Sequence, residues 1–131
     1  MAIGLLVSPA CGLSPERDLN LAVSAGDRTF KTGQPIPLEL VVRYGGKDPL
    51  TLNFSTSQRY DFQIEKEGEI LWRWSDGRMF AQVVGQFSLS SELPQVRYRA
   101  LFQGRLPPGQ YKARGLLTTR PRPLSAATRI T

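Results

Sequence analysis

The chain has 131 residues, the size of one ordinary domain, and it is long enough to bury a core without disulfides. Hydrophobic residues make up 40% of it, and its 2 Trp, 4 Tyr and 6 Phe exclude a disordered chain. Its net charge is +6, and no apolar run approaches the ~20 residues that a membrane-spanning helix needs.

The charges are unevenly distributed along the chain. All 11 acidic residues lie at or before Glu92, so residues 1–92 carry nine basic against eleven acidic side chains, or −2. Residues 93–131 contain eight basic residues and no acidic one. The sequence therefore predicts a cationic C-terminal third on a mildly acidic body.

Residues 3–11 read IGLLVSPAC, a short apolar run that ends in the only cysteine of the chain. This order resembles the end of a bacterial lipoprotein signal, in which Cys11 would be lipidated. No Lys or Arg precedes the run, and it is shorter than most signal-peptide apolar cores. We therefore expect residues 1–17 to be a flexible N-terminus or the remnant of a lipoprotein signal, and we expect the protein in the cytoplasm or at the cell envelope accordingly.

Apolar and polar residues alternate along the first half of the chain, which predicts β-strands. Strands are expected at 19–24, 36–44 and 50–54, separated by turns rich in Gly, Asp and Pro. A hairpin follows, with strands that begin at Tyr60 and Ile70 around a turn at Glu67 and Gly68. Its large side chains, Ile70, Trp72 and Trp74, are expected on one face.

The second half of the chain continues this pattern. Strands are expected at 82–88, 96–103 and 111–119, and Pro107, Pro108 and Gly109 should close a hairpin between the last two. An edge strand is expected at 128–131. The pattern predicts an all-β fold, an antiparallel immunoglobulin-like β-sandwich of about eight strands that forms a single domain over residues 18–131. An open barrel is the structural alternative.

The residue types exclude most catalytic chemistry. The chain has no histidine, which excludes a Ser-His-Asp triad, a Cys-His pair and His-based metal sites. A single cysteine cannot form a thiolate zinc site. Glu65, Glu67 and Glu69 straddle a hairpin turn, which is typical of a solvated hairpin tip, and Gly45-Gly46 lacks the Lys of a phosphate-binding loop. We therefore predict no enzymatic activity, no cofactor and no metal.

Three ordered segments carry the positive signal. Residues 53–62 read NFSTSQRYDF, residues 72–82 read WRWSDGRMFAQ and residues 106–111 read LPPGQY. In this order and spacing, the stretch from Leu50 to Thr118 resembles the BsuPI intracellular proteinase inhibitor family. The resemblance implies steric occlusion of a subtilisin-type serine protease, in which an extended segment adds a strand to the protease and places an apolar side chain in its specificity pocket.

The first two segments also suggest local structure. In residues 53–62, Asn53 or Ser55 is expected to cap backbone groups at a polar bend. In residues 72–82, a tight turn at 75–77 presents the following side chains either to a partner, if they are exposed, or as a hydrophobic plug, if they are buried. The first group of candidate partner-binding residues is therefore Arg73, Asp76, Arg78, Met79 and Phe80.

A second candidate group is cationic. Arg97 and Arg99 point outward on their strand, and across the expected hairpin Lys112 and Arg114 share a face, which predicts one basic stripe. Like charges on neighbouring strands destabilise a sheet by ~0.2–1 kcal/mol, so either acids such as Glu39, Glu65 or Asp61, or an anionic partner, should neutralise them.

Two further interpretations concern the partner. Nucleic acid is disfavoured because the aromatic residues fit core positions instead of an exposed stacking surface. The alternative to an inhibitor is a non-inhibitory envelope-attached adhesion or assembly module, anchored through Cys11, with membrane contact only through that lipid. In either case we expect a monomer whose partner is a protein.

Overall fold

The computed structural model describes residues 18–120 and 123–131, so Cys11 lies outside the described residues. Within these ranges, no helix is long and apolar enough to cross a membrane. The described residues form nine strands, β1 (Leu19–Ser24), β2 (Ile36–Tyr44), β3 (Leu50–Phe54), β4 (Tyr60–Lys66), β5 (Glu69–Arg73), β6 (Gly85–Leu89), β7 (Gln95–Phe102), β8 (Tyr111–Leu117) and β9 (Leu124–Ile130).

The strands form three antiparallel sheets, with the orders β1-β2-β7, β3-β6 and β5-β4-β8-β9. Each described sheet begins and ends with a different strand, so none of them closes into a barrel. The all-β antiparallel prediction is confirmed.

One hydrophobic core joins the three-stranded and four-stranded sheets. β1 contacts β8 and β9, and β2 contacts β8. The alternating apolar residues of β2 and β4 point into this core, where Leu40, Phe62 and Ile64 are fully buried. At Gly115 of β8, an added Cβ would lie 3.1 Å from Cδ1 of Leu40 in the facing sheet. Glycine therefore lets β8 pack directly on β2.

The predicted hairpin at Glu67 and Gly68 is present, but its faces differ from the expectation. Both turn residues have positive φ, 52° and 85°, as in the type I′ turn that suits strand twist. The β4–β5 register shifts, so that Ile64 pairs with Trp72 but Glu65 pairs with Ile70. One extra residue of β5 lies between these two pairs, and this bulge reverses which face of the sheet the β5 side chains point to. Ile70 therefore lies on the opposite face from Trp72. The prediction that Ile70 shares that face is wrong, and its side chain is exposed.

The largest correction concerns the chain between β7 and β8. The Pro107–Gly109 hairpin was expected to pair these two strands, but β7 pairs with β2 and β8 pairs with β4 and β9. The segment therefore crosses from one sheet to another. The strand bounds differ most at the starts of β6, which begins at Gly85, and of β9, which begins at Leu124.

Candidate partner-binding site

The segment 74–84, which connects β5 to β6, is called the 74–84 loop. It is held at its start by a row of stacked rings. Tyr60 lies between Tyr98 of β7 and Trp74, with ring centroids 4.6 Å apart on both sides and interplanar angles of 19° and 27°. Such ring pairs stabilise beyond the area they bury. The row joins the first residue of the loop to both large sheets.

A buried carboxylate fixes the turn that opens the loop. Asp61 of β4 is 7% exposed, and its side chain accepts hydrogen bonds from the Phe62 amide at 2.8 Å, the Ser75 amide at 3.0 Å and the Ser75 hydroxyl at 2.6 Å. Asp61 was expected among the acids that neutralise the basic residues. It instead binds the 74–84 loop to β4, because a buried carboxylate needs several donors.

Arg78 folds back over the start of the loop. Its guanidinium carbon lies 4.2 Å from the centroid of the Trp74 ring, and its Nε donates to the Trp74 carbonyl at 2.9 Å. The Arg78 amide also donates to the Ser75 carbonyl at 3.0 Å. Gly77 has a φ of 82°, which a glycine adopts without strain in this turn. Arg78 therefore covers the outer face of Trp74, in a cation–π contact.

A second anchor holds the far side of the loop. The Ser57 amide donates to the Ala81 carbonyl at 2.9 Å, and the Ala81 amide donates to the Ser57 hydroxyl oxygen at 2.8 Å. Ser57 lies in the polar bend of the first sequence segment, so the first and second segments meet in space. Ser57 and Thr56 cap backbone amides in this bend, and the Thr56 hydroxyl accepts from the Gln58 amide. The Asn53 side chain instead accepts from the side chain of Gln86.

Between the two anchors, one apolar side chain is left in solvent. Met79 is 95% exposed, while its neighbour Phe80 is half-buried, with its ring 6.0 Å from that of Trp74. Val83 and Val84, in the same loop, are 61% and 74% exposed. Of the two interpretations of this segment, the hydrophobic plug is therefore wrong for Met79. These exposed apolar side chains make the 74–84 loop the candidate contact surface.

The remaining candidates of this group lie beside the loop. Arg73, the last residue of β5, donates from Nε to the Gln63 side chain at 3.3 Å and lies 3.9 Å from the carboxylate of Asp76. Both side chains are largely in solvent, 40% and 72% exposed, and such a pair contributes little to stability. The structure thus brings Arg73, Asp76, Arg78, Met79 and Phe80 to one end of the fold.

The cationic candidates do not form one stripe. Arg97 and Arg99 lie on β7 of the three-stranded sheet, while Lys112 and Arg114 lie on β8 of the four-stranded sheet. The predicted stripe is wrong because it depended on a β7–β8 hairpin.

Acids of the same chain face three of these cations. Glu39 of β2 accepts from Arg99 at 2.9 Å and from Arg97 at 3.2 Å, and the hydrogen bond from Arg99 is the main reason that its pKa lies below the usual value. Glu65 of β4 accepts from Arg114 at 2.8 Å. Burial acts to raise the pKa of Glu65, but the hydrogen bond and charge of Arg114 outweigh it, so the pKa is lowered.

The third sequence segment lies at the opposite end of β8 from the 74–84 loop. The Tyr111 hydroxyl donates to the Pro107 carbonyl and so closes the bend that enters β8. Beside it is a small cavity of about 40 Å³, whose lining includes Phe30, Phe102 and Tyr111. The described residues contain no cluster of three potential metal ligands.

The arrangement of the three segments can be compared with known families. Residues 23–122 match the BsuPI family, whose description is intracellular proteinase inhibitor. The chain belongs to the BsuPI family. The match includes both anchors of the 74–84 loop and the exposed Met79 between them, so the candidate site lies within the region that matches the family.

A solved structure shares the fold of this BsuPI protein. The crystal structure of Spo0M, a sporulation control protein from Bacillus subtilis, superposes with a TM-score of 0.53 at 15% sequence identity. The superposition covers 86% of this chain and 48% of the Spo0M chain, so this chain spans about half of that protein. No curated protein sequence matches the chain.

Several residues of the site were not predicted from the sequence. Ser57 and Asp61 anchor the loop through hydrogen bonds to residues far along the chain, a kind of contact that leaves no local pattern. Val83 and Val84 were placed in a strand, although two adjacent valines break the alternation of a half-buried strand. That break is the one signal that an exposed segment precedes Gly85.

Proposed function

We propose that this BsuPI protein inhibits a serine protease of the subtilisin type by occluding its substrate cleft with the 74–84 loop. The observation that carries this proposal is the exposure of Met79, 95%, at the tip of a loop anchored on both sides. The proposal rests on the family for the activity and on the loop for the contact surface.

The geometry of the loop suits the cleft of a protease. Residues 78–84 lie outside the described strands, and all of them except the half-buried Phe80 are exposed. Serine proteases bind an extended segment through backbone hydrogen bonds and an apolar side chain in a pocket. Anchoring by Trp74 and Ser57 reduces the conformational freedom that binding would otherwise cost.

The same anchors account for inhibition instead of digestion. Proteases cleave exposed loops that can unfold locally into the active site. The 74–84 loop is held by the two hydrogen bonds from Ser75 to Asp61, by the contact of Arg78 with Trp74, and by the pair between Ser57 and Ala81. A loop held in this way enters the cleft but cannot readily distort, so it blocks the cleft sterically.

The proposed fold type is an immunoglobulin-like β-sandwich that forms one domain over residues 18–131. Contacts between sheets support this, namely the Tyr60–Tyr98 stack and the edge contact of Trp72 with Phe102 at 5.1 Å. A domain of this kind should unfold in one cooperative transition, with coincident circular dichroism and tryptophan fluorescence curves. Two separate transitions would contradict it.

A protease assay tests the function. Purified protein should inhibit subtilisin at near-stoichiometric concentration, titrate its activity to zero and remain intact on a gel after the incubation. The expected control is that a papain-type cysteine protease, whose cleft differs, keeps its activity. Rapid digestion of the protein, or full subtilisin activity in a large excess of it, would refute the proposal.

A further inference from the structure

Met79 is an exposed apolar residue whose neighbours in the chain are held to the rest of the protein. The Arg78 residue before it is bound through its amide, its Nε and its guanidinium face. Phe80 after it packs beside Trp74, and Ala81 is bound through both its amide and its carbonyl. The neighbours are therefore fixed, while the side chain of Met79 extends into solvent.

Val83 and Val84 are less suited to fill a pocket. They are less exposed, and their β-branched side chains are short and stiff at χ1. A methionine side chain is long, unbranched and adaptable, so it fills a narrow apolar pocket with little steric conflict. The hot spots of an interface are side chains that enter desolvated pockets near its centre.

We propose that Met79 is the residue that enters the primary specificity pocket of the protease, with the peptide bond between Met79 and Phe80 lying nearest the catalytic serine. This inference rests on the proposed function and extends it to a target class. The target is a serine protease whose primary pocket accepts a long, unbranched apolar side chain.

The inference also identifies the bond at which any slow cleavage occurs. Hydrolysis would add one water across the Met79–Phe80 bond and leave a carboxylate on Met79 and an amine on Phe80. Both new ends would stay close together, because Arg78 is bound to Trp74 and Ala81 to Ser57. The serine could then rejoin the ends by the reverse reaction, so the nicked form should still inhibit.

A set of variants at position 79 tests the inference against subtilisin and trypsin. Met79→Leu should inhibit subtilisin within a few-fold of the wild type, whereas Met79→Asp should weaken inhibition by about a hundredfold or more. Met79→Lys should weaken subtilisin inhibition and create inhibition of trypsin, whose pocket ends in a carboxylate. The matched control is Leu93→Lys, which places the same charge at a half-exposed apolar residue in the β6–β7 loop.

The outcomes separate this inference from the proposed function. If the wild type inhibits subtilisin but every variant stays within twofold of it and Met79→Lys does not inhibit trypsin, the inference fails while the function stands. If the wild type inhibits neither enzyme, both fail. A wild-type dimer on size-exclusion chromatography that Met79→Lys converts to a monomer would assign Met79 to self-association and overturn the inference. Because Met79 is 95% exposed, all variants should keep the wild-type unfolding midpoint.

Discussion

The candidate residues lie on two surfaces of the protein. The surfaces differ in whether their side chains already have partners within the same chain. On the two large sheets, Arg97, Arg99 and Arg114 face acids of the same chain, at distances of 2.8 to 3.2 Å. In the 74–84 loop, Ser75 and Ala81 are hydrogen-bonded to the body of the protein, but Met79 is left in solvent. A satisfied charge does not require a partner, whereas a large exposed apolar side chain on a fixed backbone is favourably buried by one.

The difference also explains how far the sequence could predict the structure. Alternation predicted β2 because its inward face is wholly apolar, and turn chemistry predicted Glu67 and Gly68 because only certain residues adopt positive φ there. Alternation shows which face a residue occupies but not which strand lies beside it. The crossing between β7 and β8, and with it the separation of Arg97 from Lys112, was therefore missed.

The site was predicted in outline. The sequence identified Arg78, Met79 and Phe80 after a turn, but it left open whether they form an interface or a plug. Exposure depends on how neighbouring groups fill the space around Trp74, and that is a property of the packed structure. The sequence allowed the basic residues to be neutralised either by acids of the same chain or by an anionic partner. Glu39 and Glu65 follow the first of these options.

The largest effect on stability is expected from Asp61, which supports the loop from within. Asp61→Ala would leave the donors on Phe62 and Ser75 without their acceptor, and we expect a loss of about 3 kcal/mol in unfolding free energy. Urea denaturation measures this loss, and inhibition of subtilisin should weaken with it. The matched control, Asp76→Ala at an exposed carboxylate of the same turn, should change stability by less than about 0.5 kcal/mol. Equal effects of the two changes would contradict the role of Asp61.

A smaller effect is expected from Glu65, which pairs with Arg114 on the four-stranded sheet. Glu65→Gln should lower the unfolding free energy at pH 7 by about 1 to 2 kcal/mol, because Arg114 loses a charged partner. The folded pKa of Glu65 lies below its unfolded value, so the stabilisation is present above the unfolded pKa and is lost as pH falls through the folded pKa.

The pH dependence gives a separate measurement of this pair. Wild-type stability should decline between about pH 5 and pH 3, and the decline should be shallower in Glu65→Gln. Glu92→Gln, which removes an exposed carboxylate in the β6–β7 loop, serves as the control and should follow the wild type. Parallel curves for the wild type and Glu65→Gln would show that the pair is not linked to folding.

The far anchor of the loop should affect local more than global stability. Ser57→Ala removes the hydroxyl that accepts from the Ala81 amide. We expect the free energy of unfolding to fall by only about 0.5 to 1 kcal/mol, because this hydrogen bond is exposed to solvent. The loop should then open more often, and subtilisin should cleave the variant several-fold faster than the wild type. Time courses by mass spectrometry measure this. Ser55→Ala, in the same polar bend, is the control, and an identical cleavage rate in all three proteins would remove Ser57 as an anchor.

The smallest effect is expected on the sheet surface. Glu39→Gln should change stability by less than about 1 kcal/mol, since its partners Arg97 and Arg99 are largely in solvent. Replacing both arginines by glutamine should leave subtilisin inhibition within about twofold, at low and at physiological salt. If inhibition weakens tenfold or more, the partner-binding surface lies on β7 and not on the loop.

The most direct test of the central claim is amide hydrogen exchange of the protein with and without a subtilisin whose catalytic serine is replaced by alanine. We expect the complex to slow exchange in residues 77–84 and to leave Gln95–Phe102 of β7 unchanged. Slowed exchange in β7, with residues 77–84 exchanging as in the free protein, would contradict the assignment of the 74–84 loop as the inhibitory surface.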